Sequence, residues 1–248
     1  MSEKHFIEQQ RHAESYLIPY FKRHCPGFLS FSVLEVGCAE GGLLDALQKR
    51  GIRSSGLELE PHRAALAKTL NPSLDVRVGD LTDPSAVAGL GRLFDLVVMR
   101  DVIEHIPHKE TAFRHLRSLL KPDGYLYVTF PPRFSPFAGH HQNGRTCLRR
   151  IPYLHLLPAS WLRTVGRLAG EHAHVLENAA ANFKIGLSIH RFEALAASYG
   201  FEAVVNELYW IRPVYRIRMG LRPRRAPNWP GLREVFSLGC ECLLRLRD

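Results

Sequence analysis

Three kinds of residue in this chain are spaced for chemistry. The first is the run Glu35-Val36-Gly37-Cys38-Ala39-Glu40-Gly41-Gly42. Apolar residues lead into it and a leucine-bearing stretch follows, so it reads as a strand, a glycine-rich turn and a helix start. Backbone N–H groups then lie where a charged ligand can approach closely. The second kind is a pair of acids placed just after predicted strands, Glu58 and Asp80. The third is a set of histidines, His105, His140 and His141, the first of which closes the spacing Asp101-x-x-Glu104-His105. Imidazoles titrate near neutral pH and serve as general bases.

The glycine turn has two readings. With alanine in its middle it is a degraded G-x-G-x-x-G, and Glu58 stands where an acid would meet a dinucleotide ribose. Glu35, however, lies inside the strand, and a carboxylate there would repel a pyrophosphate. A ligand with a cationic amino-acid end would instead be held by Glu35 and nearby backbone groups. Glu58 and Asp80 taken singly are ordinary helix caps or turn residues. Their joint placement at successive strand ends favours a ligand. Cys38 reads as a small buried residue, not a nucleophile. His105 is equally at home as a structural histidine at a helix start, and His140 and His141 as surface histidines in an aromatic, glycine-bearing loop.

Those residues need a framework, and the hydrophobic pattern supplies one. Strands are expected at 33–36, 55–59, 76–78, 94–99 and 125–130, with helices at 41–50, 61–70, 84–93 and 109–120 between them. Gly51 stops the first helix and Pro61 starts the second. A turn is expected at 121–124. Such alternation predicts a mostly parallel sheet with helices on both faces and ligands at the C-terminal strand ends. Residues 4–24 read as an amphipathic helix kinked at Pro19, forming with 25–30 an N-terminal cap. The stretch 131–187 shows only short helices, near 151–157 and 159–168, and is too long for a plain loop, so it is expected to cap a substrate. The core resumes over 188–220, with a helix at 188–199, a strand at 201–209 and another at 215–219. A linker and a helix over 232–246 are expected to close the chain.

Here the chain resembles the class I S-adenosylmethionine (SAM)-dependent methyltransferases, over about residues 30–130 and more loosely over 188–210. Glu35 to Gly41 looks like that family's first motif, and Gly56-Leu57-Glu58 like its second-strand acid. Gly79-Asp80-Leu81 looks like its third motif. Phe94 to Val98 followed by Asp101 to Ile106 looks like its fourth, and Leu120 to Gly124 like the turn before strand five. The resemblance implies a Rossmann-like, doubly wound, seven-stranded, mostly parallel sheet with the cap inserted after strand five. It also implies SAM as cofactor and S-adenosylhomocysteine as product. Glu35, Gly37, Cys38 and Gly41 would hold the methionine part, Glu58 the ribose, and Asp80 and Leu81 the adenine. Leu59 and Arg100 lie beside them. Ala39 replaces a frequent glycine, and Asp123 replaces the second glycine of a common Lys-Pro-Gly-Gly turn. The Asp101, Glu104, His105 spacing further resembles the Glu-x-x-Glu-His motif of two metal-dependent branches, the ubiquinone-pathway O-methyltransferases and the RNA 3′-terminal 2′-O-methyltransferases. The first acid is one methylene shorter here, and metal-free relatives carry similar Glu-His pairs, so no metal ligand is assigned.

The net charge of +9 is uneven. Residues 145–248 carry 16 Lys/Arg against 8 Asp/Glu, whereas residues 1–144 carry 17 against 16. The basic half, with Trp161, Arg163, Arg167, Arg212, Arg216, Arg218, Arg224 and Arg225, would suit RNA, and the final helix with Arg233, Arg245 and Arg247 an anionic membrane. Neither is favoured over a solvated face and an ordinary docking helix. Five cysteines without a metal-like framework, no apolar run of membrane length and no signal-like start point to the cytoplasm. The expected function is methyl transfer to oxygen or nitrogen of a small or medium acceptor, the His105, His140 and His141 rings supplying candidate bases. The alternatives are an RNA or lipid-linked substrate, and a SAM-binding protein without catalysis.

Overall fold

The computed structural model describes residues 3–247. Helix α1 (Glu3–His12) runs through a wide π-helical turn at Ala13–Leu17 into α2 (Ile18–His24). The sequence places the kink at Pro19, and the structure places the adjustment one turn earlier. Pro19 has no N–H to donate and its ring crowds the carbonyl a turn back. The i→i+5 bond from Ile18 N–H to the Ala13 carbonyl opens the helix there.

The core then alternates as the pattern demands: β1 (Ser32–Val36), α3 (Gly42–Gln48), β2 (Arg53–Glu58), α4 (Pro61–Leu70), β3 (Val76–Val78), α5 (Pro84–Gly89), β4 (Phe94–Arg100), α6 (Lys109–Leu119) and β5 (Leu120–Phe130). The expected turn at 121–124 is a bulge inside β5. Pairing with β4 jumps from Phe94↔Leu120 to Leu96↔Tyr125, and Asp123 takes φ 60°. Beyond β5 come short 3₁₀ turns, then α7 (Ala159–Ala169) and α8 (Ala173–Ile185), which share a small core of Leu148, Leu154, Leu162 and Leu176. Helix α8 is absent from the sequence reading, where its histidines and asparagines break the apolar period.

Helix α9 (Ile189–Ser198) is capped by the Ser188 hydroxyl, which accepts from Arg191 N–H at 3.2 Å. It leads to β6 (Phe201–Ile211), α10 (Val214–Met219), β7 (Arg224–Arg225), α11 (Arg233–Phe236) and β8 (Gly239–Leu246). Two expectations fail here. Residues 215–219 are helical, because Pro213 sets a helical φ of −53° just before them. The closing helix expected at 232–246 is the single turn α11 followed by β8. Strand β8 sits between β5 and β6 with almost every residue buried. Cys240, Cys242, Leu244 and Leu246 alternate toward one sheet face, a period of two that the helical spacing of Leu232, Val235, Phe236, Leu243 and Leu246 overrides when 232–246 is read as one segment. The basic residues assigned to that helix are held in ion pairs. Arg233 pairs with Glu193, Arg245 with Asp123, and Arg247 with Glu202.

The eight strands run in the order β3-β2-β1-β4-β5-β8-β6-β7, parallel from β3 to β5 and antiparallel at β8. Seven strands are expected from the sequence; the one at 215–219 is a helix, and β7 and β8 are the two additional strands. One sheet face carries α6 and α9 over Phe130, Val128 and Leu244, and the other carries the Ala13–Leu17 turn, α2 and α3 over Val33, Val98 and Tyr127. Among the described residues no helix is long and apolar enough to cross a membrane.

Candidate active site

A cleft of about 830 Å³ opens at the C-terminal ends of the parallel strands, roofed by α1 and α10. Its first wing is the turn after β1. Gly37 has φ +70°, and a Cβ there would lie 2.4 Å from a Val102 methyl. Ala39, standing for the missing glycine, also takes a positive φ, 54°. That conformation is anchored from β2. The buried Glu58 carboxylate accepts Ala39 N–H at 2.6 Å and Glu60 N–H at 3.0 Å. Helix α1 can lie across this turn because Gly42 has no side chain: a Cβ would meet the Phe6 carbonyl oxygen at 2.4 Å. The buried Glu40 ties the same parts together, pairing with His5 of α1 and, at 3.0 Å, with Arg63 of α4. Burial opposes its ionisation, but Arg63 and His5 outweigh that and hold its carboxyl low.

Of the expected cofactor contacts, Gly37, Glu58, Leu59 and Arg100 line the cleft. Glu35 does not. It is wholly buried behind Arg100, whose Nε donates to it at 3.0 Å, and its other oxygen has no protein partner. Burial pushes its carboxyl up against the pull of Arg100. Cys38 and Gly41 pack beneath the turn instead of facing the opening, and burial pushes the Cys38 thiol up. Asp80 is exposed at the end of β3, accepts Thr82 N–H at 2.7 Å and lies outside the cleft wall, while Leu81 is buried in the core.

The second wing begins where β4 ends. Asp101 takes φ 55° and pairs with Arg212, which lies beyond β6. Burial opposes ionisation of Asp101, but Arg212 and then Arg218 and Arg100 hold it low. Glu104 is buried with neither carboxylate oxygen hydrogen-bonded, and burial with the nearby Asp101 charge pushes it well up. The His105 and His140 rings meet edge to face at 4.9 Å and both line the cleft. Burial lowers both, His140 to about 4, so each is a neutral imidazole at neutral pH. Ligand atoms of Glu104, His105 and His140 lie within 4.8 Å of one another. His141, the third expected base, faces away. It is buried in the cap, and its Nε2 donates to the Ile151 carbonyl at 2.8 Å.

Sequence reasoning missed several residues of this wing. His12 lines the cleft from α1, stacked on Tyr16, with an unpartnered Nδ1. Burial and then Arg100 lower it to about 3. Tyr127, Thr129, Tyr209 and Glu241 line the far end. The signal for Glu241 was a lone acid inside the apolar run Gly239–Leu246. The residues proposed to grip RNA are dispersed: Arg212 serves Asp101, Arg218 pairs with Glu8, Arg225 with Glu207, and Trp161 stands on α7.

A doubly wound sheet with a cleft over its first strand end, an acid at the end of β2 and a separate far wing is the plan of a methyltransferase of the class I, SAM-dependent type. The chain belongs to that family: the profile for the methyltransferase domain matches residues 9–206. Among curated proteins it is 25% identical to the ubiquinone biosynthesis O-methyltransferase of Salmonella paratyphi A over 134 residues, 53% of this chain and 52% of that protein. It is 28% identical to the protein of that name from Actinobacillus pleuropneumoniae over 118 residues, 45% of this chain and 50% of that protein. Each match thus spans about half of the relative's length. Among solved structures, magnesium protoporphyrin IX methyltransferase from Synechocystis with bound S-adenosylhomocysteine is similar in fold, with TM-score 0.54 and 15% identity over 98% of this chain and 84% of that one. A plantazolicin methyltransferase in complex with S-adenosylhomocysteine has TM-score 0.57 and 11% identity over 99% and 86%.

Proposed function

We propose that this protein moves the methyl group of SAM to an oxygen or nitrogen of a small or medium acceptor, of metabolite, natural-product or glycan type. The observation that carries this is Glu58. It stands buried at the end of β2 with its carboxylate on the turn after β1, beside a cleft that continues into a second, differently built wing. Two ribose hydroxyls donating to that carboxylate make charge-assisted bonds. Arg100, which lines the cleft in front of the buried Glu35, is the group available to the carboxylate of the amino-acid end. Methyl transfer needs the acceptor aligned with the S–CH₃ bond, and alignment alone supplies about 7–11 kcal/mol. His105 and His140, neutral and facing the cleft, orient the acceptor by hydrogen bonding. Calorimetry with SAM tests the reading: tight binding by the intact protein, weakened in Glu58→Ala, is expected, and no binding overturns it. Incubation with trideuteromethyl-SAM and a metabolite extract then identifies the acceptor by its added mass.

A second reading adds a divalent cation, favoured by the unpartnered Glu104 carboxylate beside His105 and His140. One carboxylate and two imidazoles suit a borderline cation such as zinc. The match to the Glu-x-x-Glu-His pattern is incomplete, because Asp101 is committed to Arg212. A bound cation would polarise the acceptor oxygen as a Lewis acid. Zinc binding by calorimetry that disappears in Glu104→Gln supports this. Undiminished methyl transfer in chelator removes it.

A further inference from the structure

Strands β5, β8 and β6 carry a row of polar residues on the face covered by the N-terminal helix. Thr129, Glu241 and Glu207 are direct register partners across the three strands. Two acids directly opposite each other on neighbouring strands repel, and Glu241 is almost fully buried. The opposite face of the same strands is filled by Leu208, Cys240, Cys242 and Val128, so packing does not require acids here.

Tyrosine hydroxyls connect the two carboxylates. Tyr16 donates to Glu241 Oε1 at 2.6 Å, and its oxygen lies 3.2 Å from that of Tyr209. Tyr209 donates to Glu207, which pairs on its other side with the exposed Arg225 of β7. Glu241 and Tyr209 line the cleft, Tyr16 stands behind them, and Arg225 lies at the surface. A continuous string of exchangeable protons thus joins the far wing of the cleft to solvent.

We propose that Glu241 takes up the proton released by the acceptor, and that Tyr16 and Tyr209 relay it to Glu207 at the protein edge. This rests on the methyltransferase reading above. In the step the S–CH₃ bond breaks with its electron pair left on sulfur, the acceptor's O–CH₃ or N–CH₃ bond forms, and its O–H or N–H proton passes to the ionised Glu241. Protonated Glu241 then donates to the Tyr16 oxygen, Tyr16 gives its own proton to Tyr209, and Tyr209 gives its own to Glu207. Each tyrosine ends neutral, Glu241 is again ionised, and Glu207 releases the proton to water beside Arg225. The electrostatics support this role. Burial, with the Glu207 charge, raises Glu241 to about 7, against hydrogen bonds from Tyr16 and Tyr127 and the charge of Arg212. Tyr20 of α2 and Tyr209 also face it, both pushed up by burial and then by Glu241 itself, so they stay neutral.

The test has an arm that needs no acceptor. Infrared titration of the full chain is expected to show one protonated-carboxyl band disappearing near pH 7. The band should be absent in Glu241→Gln. Its midpoint should move up in Tyr16→Phe, which loses a donor to the ionised form, and down in Glu207→Gln, which loses a like charge. A band that never titrates near neutrality, or midpoints that stay put in both relay variants, overturns the proposal. With the acceptor found by methyl labelling, Glu241→Gln should lower kcat by about 10²–10⁴-fold and abolish the acidic limb of the kcat profile, leaving SAM affinity unchanged. Product formation with that limb intact in Glu241→Gln also overturns it. Failure of the methyltransferase reading looks different: the intact protein neither binds SAM nor transfers label.

Discussion

The two faces of β5, β8 and β6 share one hydrogen-bond ladder and are built to opposite ends. Under α6 and α9 the strands present Leu126, Val128, Phe130, Cys240, Leu244 and Leu208 to a nearly dry core. Under the N-terminal helix the same strands present Tyr127, Thr129, Glu241, Glu207 and Tyr209. Burying hydrocarbon stabilises the fold, whereas burying acids and hydroxyls at best breaks even when every group is bonded. The difference teaches where stability and chemistry are divided. The face away from the cleft holds the sheet together, and the face that runs into the cleft gives up stability to place groups that exchange protons.

Three measurements would break or sharpen that contrast. The largest effect is expected on the dry face. Phe192, fully buried between Phe113 and Phe130, should cost about 3–5 kcal/mol when replaced by alanine. Denaturant unfolding should show the loss equally at pH 5 and pH 8, since no titrating group is removed. A loss that changed with pH would join the two faces and spoil the division.

The next effect belongs to Glu241 and carries a pH sign. Its folded pKa, about 7, lies above the ordinary glutamate value of 4.5. The unfolded chain therefore ionises first, and stability present below pH 4.5 is lost as pH rises through 7. A shift of that size corresponds to roughly 2–4 kcal/mol. Glu241→Gln should lack this loss, so its stability relative to the native protein should improve steadily from pH 4.5 to 7. Parallel stability curves for the two proteins would mean that Glu241 is not held protonated by its surroundings.

The smallest effect compares the two acids of the cofactor wing. Glu58→Ala removes a buried carboxylate from the cleft wall and should weaken SAM binding by about 1.5–3 kcal/mol, the range for a hydrogen bond to a charged group. Asp80→Ala should weaken it less, because that carboxylate is exposed and engaged with Thr82. Calorimetry showing the larger loss for Asp80 would move the nucleoside site out to the end of β3.

The N-terminal half of the fold was legible because its signals are local. Strands with continuous apolar cores, glycine at turns, and proline at the starts of α4 and α5 name their own conformations. The C-terminal half was less so. Strand β8 read as a helix because Leu232, Val235, Phe236, Leu243 and Leu246 fall at helical spacing across the whole segment and hide the period of two in Cys240, Cys242, Leu244 and Leu246. Helix α10 read as a strand because Tyr215, Ile217 and Met219 alternate with basic residues. In the site, His105 and His140 were named from their type and loop context and both line the cleft, whereas the same reasoning named His141, which is buried in the cap on the Ile151 carbonyl.

By itself the sequence determined the order of strands and helices through β5, the glycine turn and the acid Glu58 that meets it, because each follows from residues near one another in the chain. Only the tertiary structure decided that Arg100 covers Glu35, that Asp101 is neutralised by Arg212, and that Tyr16 reaches Glu241 across 225 residues. The reason is physical. Burial and charge pairing are properties of what surrounds a group, and in this sheet the strand that closes the far wing of the cleft is the last one in the chain.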